Sequence, residues 1–206
     1  MQNNRHLIII PVIHTRADYG SFGSKISVDQ KYETVAIRYW QAVSEYVQNL
    51  QINFSELRVY QDGLPDVSPE IVEKITDKTQ SPNYELLRWL KNNGAHIIGT
   101  ESPSALLKEF HSLQVIFNAE NIEQEQSARL GYAKISAYLL EERDEYIARK
   151  IKKTLLGAET GILFVGLAHE VKKLLEKEMK VTEPEALIGS SSETLRNRFI
   201  KKEREQ

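Results

Sequence analysis

Two stretches of the chain carry no polar interruption, LIIIPVI at Leu7–Ile13 and ILFV at Ile162–Val165. A strand with one wet face alternates apolar and polar residues. An unbroken apolar run points to a strand covered on both faces, as in a parallel sheet. Two shorter runs, Leu57–Tyr60 (LRVY) and His96–Ile98 (HII), read as further strands, and Met179–Val181 as a weaker fifth. Pro11 inside the first run lacks an N–H for a sheet ladder, so it fits best near the end of the strand or at an edge.

Helical patterns fill the gaps. Val28–Leu50 places Val35, Tyr39, Val43, Tyr46 and Leu50 on one face. Asn83–Lys91 carries Leu86, Leu87 and Leu90 and stops at Gly94. Ser104–Phe110 starts behind Pro103, a residue suited to a first turn. Glu120–Leu156 reads as a long helix with a break near Gly131 or Glu141–Glu142, and Val171–Lys177 as a short one. Strands alternating with helices predict a single α/β domain over residues 1–188. Its mostly parallel central sheet is flanked by helices, with long helices in the 28–50 and 120–156 regions. Residues 189–206 (GSSSETLRNRFIKKEREQ) read as a basic C-terminal tail or appended helix.

At 206 residues one domain is the default. The absence of cysteine excludes disulfides, thiolate metal sites and cysteine nucleophiles. A net charge of −2 supplies no field drawing the chain onto nucleic acid or an anionic membrane. The opening MQNNRHLIIIPVIH has neither the apolar length nor the cleavage pattern of a signal peptide, and no membrane-length apolar run follows. The expectation is a cytoplasmic protein that engages neither nucleic acid nor membrane.

In open α/β sheets, ligands bind beyond the carboxyl ends of the strands. The first strand is followed by His14, Thr15, Arg16 and Asp18, and the second by Gln61, Asp62 and Gly63. The third leads into Gly99, Thr100 and Glu101, and the fourth into Gly166 and His169. Each alone has a plainer reading. His14 can be solvated, QDGLP is a good turn, Glu101 can serve a helix start capped by Thr100 or Ser102, and His169 can simply open a helix. Their convergence on one edge favours a site. On the helix EERDEYIARKIKKTLL, Leu140, Ile147, Ile151 and Leu155 form an apolar stripe into which Asp144 falls, with Arg143 beside it. Unpartnered burial of such charges costs several kcal/mol, so either they pair or face a polar site, or the stripe frays there and both are solvated.

RDEYIARKI followed by GILFVGLAHEV resembles a segment shared by the TraB, ChaN, erythromycin-esterase and Tiki group. In that group an arginine begins a helix and a later strand ends in G-x-x-H. The matching positions here are Arg143, Asp144, Ile147, Ala148 and Ile151, then Gly166 and His169. PVIH places His14 where the group has a first histidine, with Pro11 at the position of its glycine. The resemblance is clearest over residues 140–185. It implies an α/β fold with His14, Glu101 and His169 around one site, and hydrolase or protease activity that in some members needs a divalent metal. ChaN is linked to haem binding.

Imidazole nitrogens with carboxylate oxygens suit Zn²⁺, Mn²⁺, Co²⁺ or Fe²⁺ with a position left for water. The expectation is therefore a divalent-metal-dependent hydrolase of a small-molecule or peptide substrate. Its metal ligands are drawn from His14, Asp62, Glu101 and His169, and its catalytic set from Glu101, Arg143 and Asp144. The same residues serve a metal-free version with histidine as general base. HExxH and G-x-S-x-G are both absent. Two alternatives stay open. One is a nucleotide- or phosphate-binding module using DYGSFGSK (Asp18–Lys25), although this is neither GxxxxGK[ST] nor GxGxxG. The other is an interaction protein or homo-oligomer built on the long helices, with Tyr39, Trp40 and Tyr46 as anchors unless they form the core.

Overall fold

The computed structural model describes residues 4–18, 23 and 29–188. DYGSFGSK apart from Asp18 and Gly23, and the 189–206 tail, lie outside the described residues. The strands are β1 (His6–Val12), β2 (Arg58–Pro65), β3 (His96–Glu101), β4 (Thr160–Gly166) and β5 (Lys180–Thr182). They form one parallel sheet in the order β3-β2-β4-β1-β5. The helices are α1 (Gln30–Gln48), α2 (Pro69–Lys78), α3 (Pro82–Asn92), α4 (Pro103–Phe117), α5 (Ile122–Thr154), α6 (Val171–Leu175) and α7 (Glu185–Ile188). None is long and apolar enough to cross a membrane, among the described residues.

The unbroken apolar runs arise because successive residues enter different cores. Ile8, Ile10, Val12, Val59, Ile162 and Phe164 face one side, where Trp40, Val43 and Val47 of α1 and Leu86, Leu87 and Leu90 of α3 cover them. Leu7, Ile9, Tyr60, Leu163 and Val165 face the other, under Ile147, Ala148 and Ile151 of α5 and Val171 and Leu175 of α6. Trp40 is thus a core residue, its indole N–H donating to the Ile13 carbonyl at 2.8 Å. Tyr39 donates to the Pro11 carbonyl at 2.6 Å. β5 accompanies β1 only from His6 to Ile8, so Pro11 lies past the pairing on that side while remaining in register with Val165 of β4. An interior strand tolerates proline because its second half is unpaired on one side.

Several elements differ from the sequence expectation. α5 runs without a break through Gly131, where an added Cβ would meet open space, and through Glu141–Glu142. α4 continues seven residues beyond Phe110, to Phe117, and α2, with Pro69 in its first turn, was not anticipated. β2 extends through QDGLP to Pro65. From the Gln61–Gly99 pair to the Pro65–Glu101 pair, β2 advances four residues while β3 advances two. Gly63 takes φ +74° inside this bulge, a conformation natural to glycine. Gly99 makes the bulge fit, since a Cβ there would lie 1.9 Å from the Pro65 carbonyl oxygen.

Candidate functional site

Because the sheet is parallel, the ends of β2, β3 and β4 share one edge, and the bulge carries Asp62 toward β4. The backbone N–H of Gly166 donates to Asp62 Oδ2 at 2.9 Å. A Cβ at Gly166 would stand 3.2 Å from that oxygen, so glycine keeps the approach open. The carbonyl of Asp62 accepts from Gln61 Nε2 at 2.8 Å, and the Gln61 carbonyl accepts from Thr100 Oγ1 at 2.6 Å. Asp62 is pinned from both its backbone and its side chain.

Arg143 reaches this edge from α5, nine-tenths buried. Its Nη2 donates to Asp62 Oδ1 at 2.6 Å and to Glu101 Oε1 at 2.8 Å. Nε donates to both Glu101 oxygens at 3.2 and 3.1 Å, and Nη1 to Glu109 Oε2 on α4 at 2.7 Å. One guanidinium therefore holds three carboxylates, and its planar fork of fixed donors is what makes that possible. Glu101 itself is fully buried at the end of β3, and Ser102 takes the N-cap position of α4. Tyr132 of α5 donates to the other oxygen of Glu109 at 2.9 Å.

Asp144 is also buried, and it faces His169. Its Oδ1 lies 2.5 Å from His169 Nδ1, while Oδ2 accepts the backbone N–H of Glu170 at 2.8 Å. These two bonds fix the imidazole so that Nε2 looks toward Asp62 Oδ2, 3.4 Å away. His169 is therefore buried between Asp144 and Asp62 and does more than open α6.

The charges are strongly coupled. Burial opposes ionisation of Asp62, but His169 and Arg143 outweigh it and hold the carboxyl well below its usual range. Burial pushes Glu101 up to about 7; the Asp62 charge adds to this and Arg143 opposes it. For His169, burial favours the neutral ring, yet Asp62 and Asp144 prevail and raise it to about 10.

Asp62, Glu101 and His169 each present a ligand atom, all within 4.8 Å of one another. One nitrogen and two carboxylate oxygens form a donor set that fits a borderline divalent ion with coordination positions to spare. With Nδ1 held by Asp144, His169 offers Nε2 as the ligand atom, as metal-bound imidazoles commonly do. The site residues expected from the sequence are thereby assembled, with one exception. His14 follows β1, two residues past Val12, which pairs with Gly166. Its carbonyl accepts from Tyr32 at 2.8 Å, and its ring is not part of the three-ligand group.

Glu109 and the Gly166 N–H complete the surroundings, and of these the sequence offered no sign of Glu109. Glu109 sits mid-helix beside Lys108 with no motif to distinguish it. Tyr84, in the first turn of α3, packs its ring on the core. Burial, with the Asp18 and Asp62 charges nearby, pushes its ionisation well above the usual tyrosine range, so its hydroxyl stays protonated. Comparison with protein-family models, curated proteins and solved structures returns no match for this chain.

Proposed function

We propose that the protein is a divalent-metal-dependent hydrolase acting on a small-molecule or peptide substrate, with Asp62, Glu101 and His169 as ligands. The observation that carries this reading is the three-ligand group at the carboxyl edge of the sheet, with the His169 ring already oriented by Asp144. The resemblance of the Arg143–His169 segment to the TraB, ChaN, erythromycin-esterase and Tiki group agrees with it. A bound ion would supply Lewis-acid activation of water and polarisation of the scissile bond.

The chain's own residues divide the remaining work. Arg143 is a positioning residue: its donors are committed to Asp62, Glu101 and Glu109, so it sets the carboxylates rather than gripping a substrate anion. Asp144 positions His169. In the metal-free state Glu101, pushed up to about 7 by burial, is the group suited to accept and return a proton.

Because Arg143 already satisfies Asp62 and Glu101, a metal-free acid–base site built on His169 and Asp144 is the second reading. Elemental analysis of chelator-free protein after reconstitution with Zn²⁺, Mn²⁺, Co²⁺ or Fe²⁺ separates the two. Near-stoichiometric metal, lost in His169→Gln and Asp62→Asn, is the expected result. Wild-type protein that takes up none of the four overturns the metal reading.

A further inference from the structure

Glu109 follows Ala105 by one turn of α4 and precedes Ile116 by two, and both of those residues are buried. Its side chain therefore starts from the covered face of the helix, the one turned towards α5. There Oε2 accepts from Arg143 Nη1 at 2.7 Å and Oε1 from the Tyr132 hydroxyl at 2.9 Å. Both oxygens are held by α5, from points about three turns apart.

The four carboxylates around Arg143 and His169 are not equally enclosed. The side chains of Asp62, Glu101 and Asp144 are 8%, 0% and 9% exposed, against 21% for Glu109. Glu109 is the member nearest solvent, and Nη1 is the corner of the guanidinium that meets it. The other donors point inward, Nη2 divided between Asp62 and Glu101, and Nε between the two oxygens of Glu101. An arginine at a ligand site commonly grips phosphate or carboxylate with its planar fork. Here Glu109 already fills the outward corner of that fork. Four carboxylates against two cations also leave the cluster with an excess of negative charge, whether or not Glu101 is protonated.

We infer that Glu109 is a specificity-determining residue: by capping Arg143 it closes the site to oxyanions such as phosphate and carboxylate, and leaves it to uncharged or cationic substrate groups. An incoming anion has to displace a charge-assisted bond of 2.7 Å and approach against like charge. An uncharged or cationic group meets neither obstacle. The placement of substrate at this strand edge is taken from the proposed function, whereas the cap itself needs no metal.

Inorganic phosphate is the probe, titrated calorimetrically into the chelator-treated full chain at constant ionic strength, so that metal plays no part. The wild type is expected to bind it more weakly than ~20 mM. Glu109→Ala uncovers Nη1 while Arg143 keeps its bonds to Asp62 and Glu101, and should bind phosphate at least ~30-fold more tightly. Glu109→Gln keeps the shape and removes the charge, and should gain about 5-fold. Circular dichroism checks folding, and if Glu109→Ala does not fold, Glu109→Gln decides. Phenylglyoxal modification with peptide mapping locates the gain. Arg143 should be inert in the wild type, and in the variant that gains binding it should react and be protected by phosphate. A wild-type Kd below ~20 mM overturns the inference, as does a folded variant with no gain. So does a gain that leaves Arg143 unprotected. Each of these outcomes leaves metal uptake by Asp62 and His169 untouched, whereas a wild type that takes up no metal removes the metal reading and not the cap.

Discussion

From Leu139 to Thr154, α5 lies across the sheet and encloses two charged side chains, Arg143 and Asp144, among Ile147, Ala148 and Ile151. From Ile122 to Tyr138 the same helix leaves large apolar residues in solvent. Both halves share a backbone geometry and much the same helix-forming composition, yet the usual inside–outside sorting is reversed between them. What differs is the surface each half meets. The sheet ends near residue 140, where polar strand ends replace apolar strand centres. Charges placed there find the partners that burial demands, whereas apolar residues farther out lose their cover. The helix sequence is read correctly only against the length of the strands beneath it.

The sharpest way to break the comparison is at Arg143. Arg143→Met removes the shared donor and leaves Asp62 and Glu101 buried without it, which should cost about 3–5 kcal/mol in denaturant unfolding. Adding Glu101→Gln should recover part of that loss. A cost below ~1 kcal/mol would mean that the carboxylates do not depend on the clamp.

Asp144→Asn tests the other buried charge. The ring of His169 loses its anchor, and metal affinity should fall about 10–100-fold by calorimetric titration. The same substitution should change stability less than Arg143→Met does. Unchanged affinity would remove Asp144 from the proposed site.

Acidity probes the buried half by itself. In the folded protein His169 is raised from 6.5 to about 10. Its contribution to stability is intact below pH 6.5 and is lost as pH rises through 10, because the folded state then holds the extra proton. Asp62 acts with the opposite sign, its contribution present above its unfolded value and lost in acid. The metal-free protein should therefore lose Tm on the order of a few degrees between pH 7 and 10, and His169→Gln should flatten that slope. An equal slope in both proteins would assign the pH dependence elsewhere.

The smallest effect belongs to the uncovered half. Gly131→Ala places a Cβ in open space within a helix and should stabilise the protein by about 0.5–1 kcal/mol. A loss instead would show that this turn of α5 is in contact with something in solution.

Much of this architecture was legible in the sequence, for a definite reason. Runs such as LIIIPVI and ILFV report double-sided cover directly, and the strand-end rule then gathers Asp62, Glu101 and His169. The bulge escaped because Gly63 and Pro65 also spell a turn, and only pairing with β3 keeps them in the strand. The full length of α4 was legible, since Leu106, Phe110, Leu113 and Phe117 keep a helical spacing to its end. An interruption at Gly131 was expected and does not occur: glycine raises the cost of a helix, but the good helix formers around it carry the chain through. His14 shows the limit of the strand-end rule, which places a residue at an edge without deciding where its ring points.

Gly99 has no side chain to offer the proposed chemistry, and it touches no residue of the three-ligand group through one. Yet the carbonyl of Pro65 occupies the space where its Cβ would be, and that close approach is what lets the bulge throw Asp62 across to Gly166. In a saturation screen for activity, position 99 should therefore behave like a reacting residue, intolerant even of alanine. Anyone ranking catalytic groups from such a screen would be misled by the one residue that acts solely by leaving room.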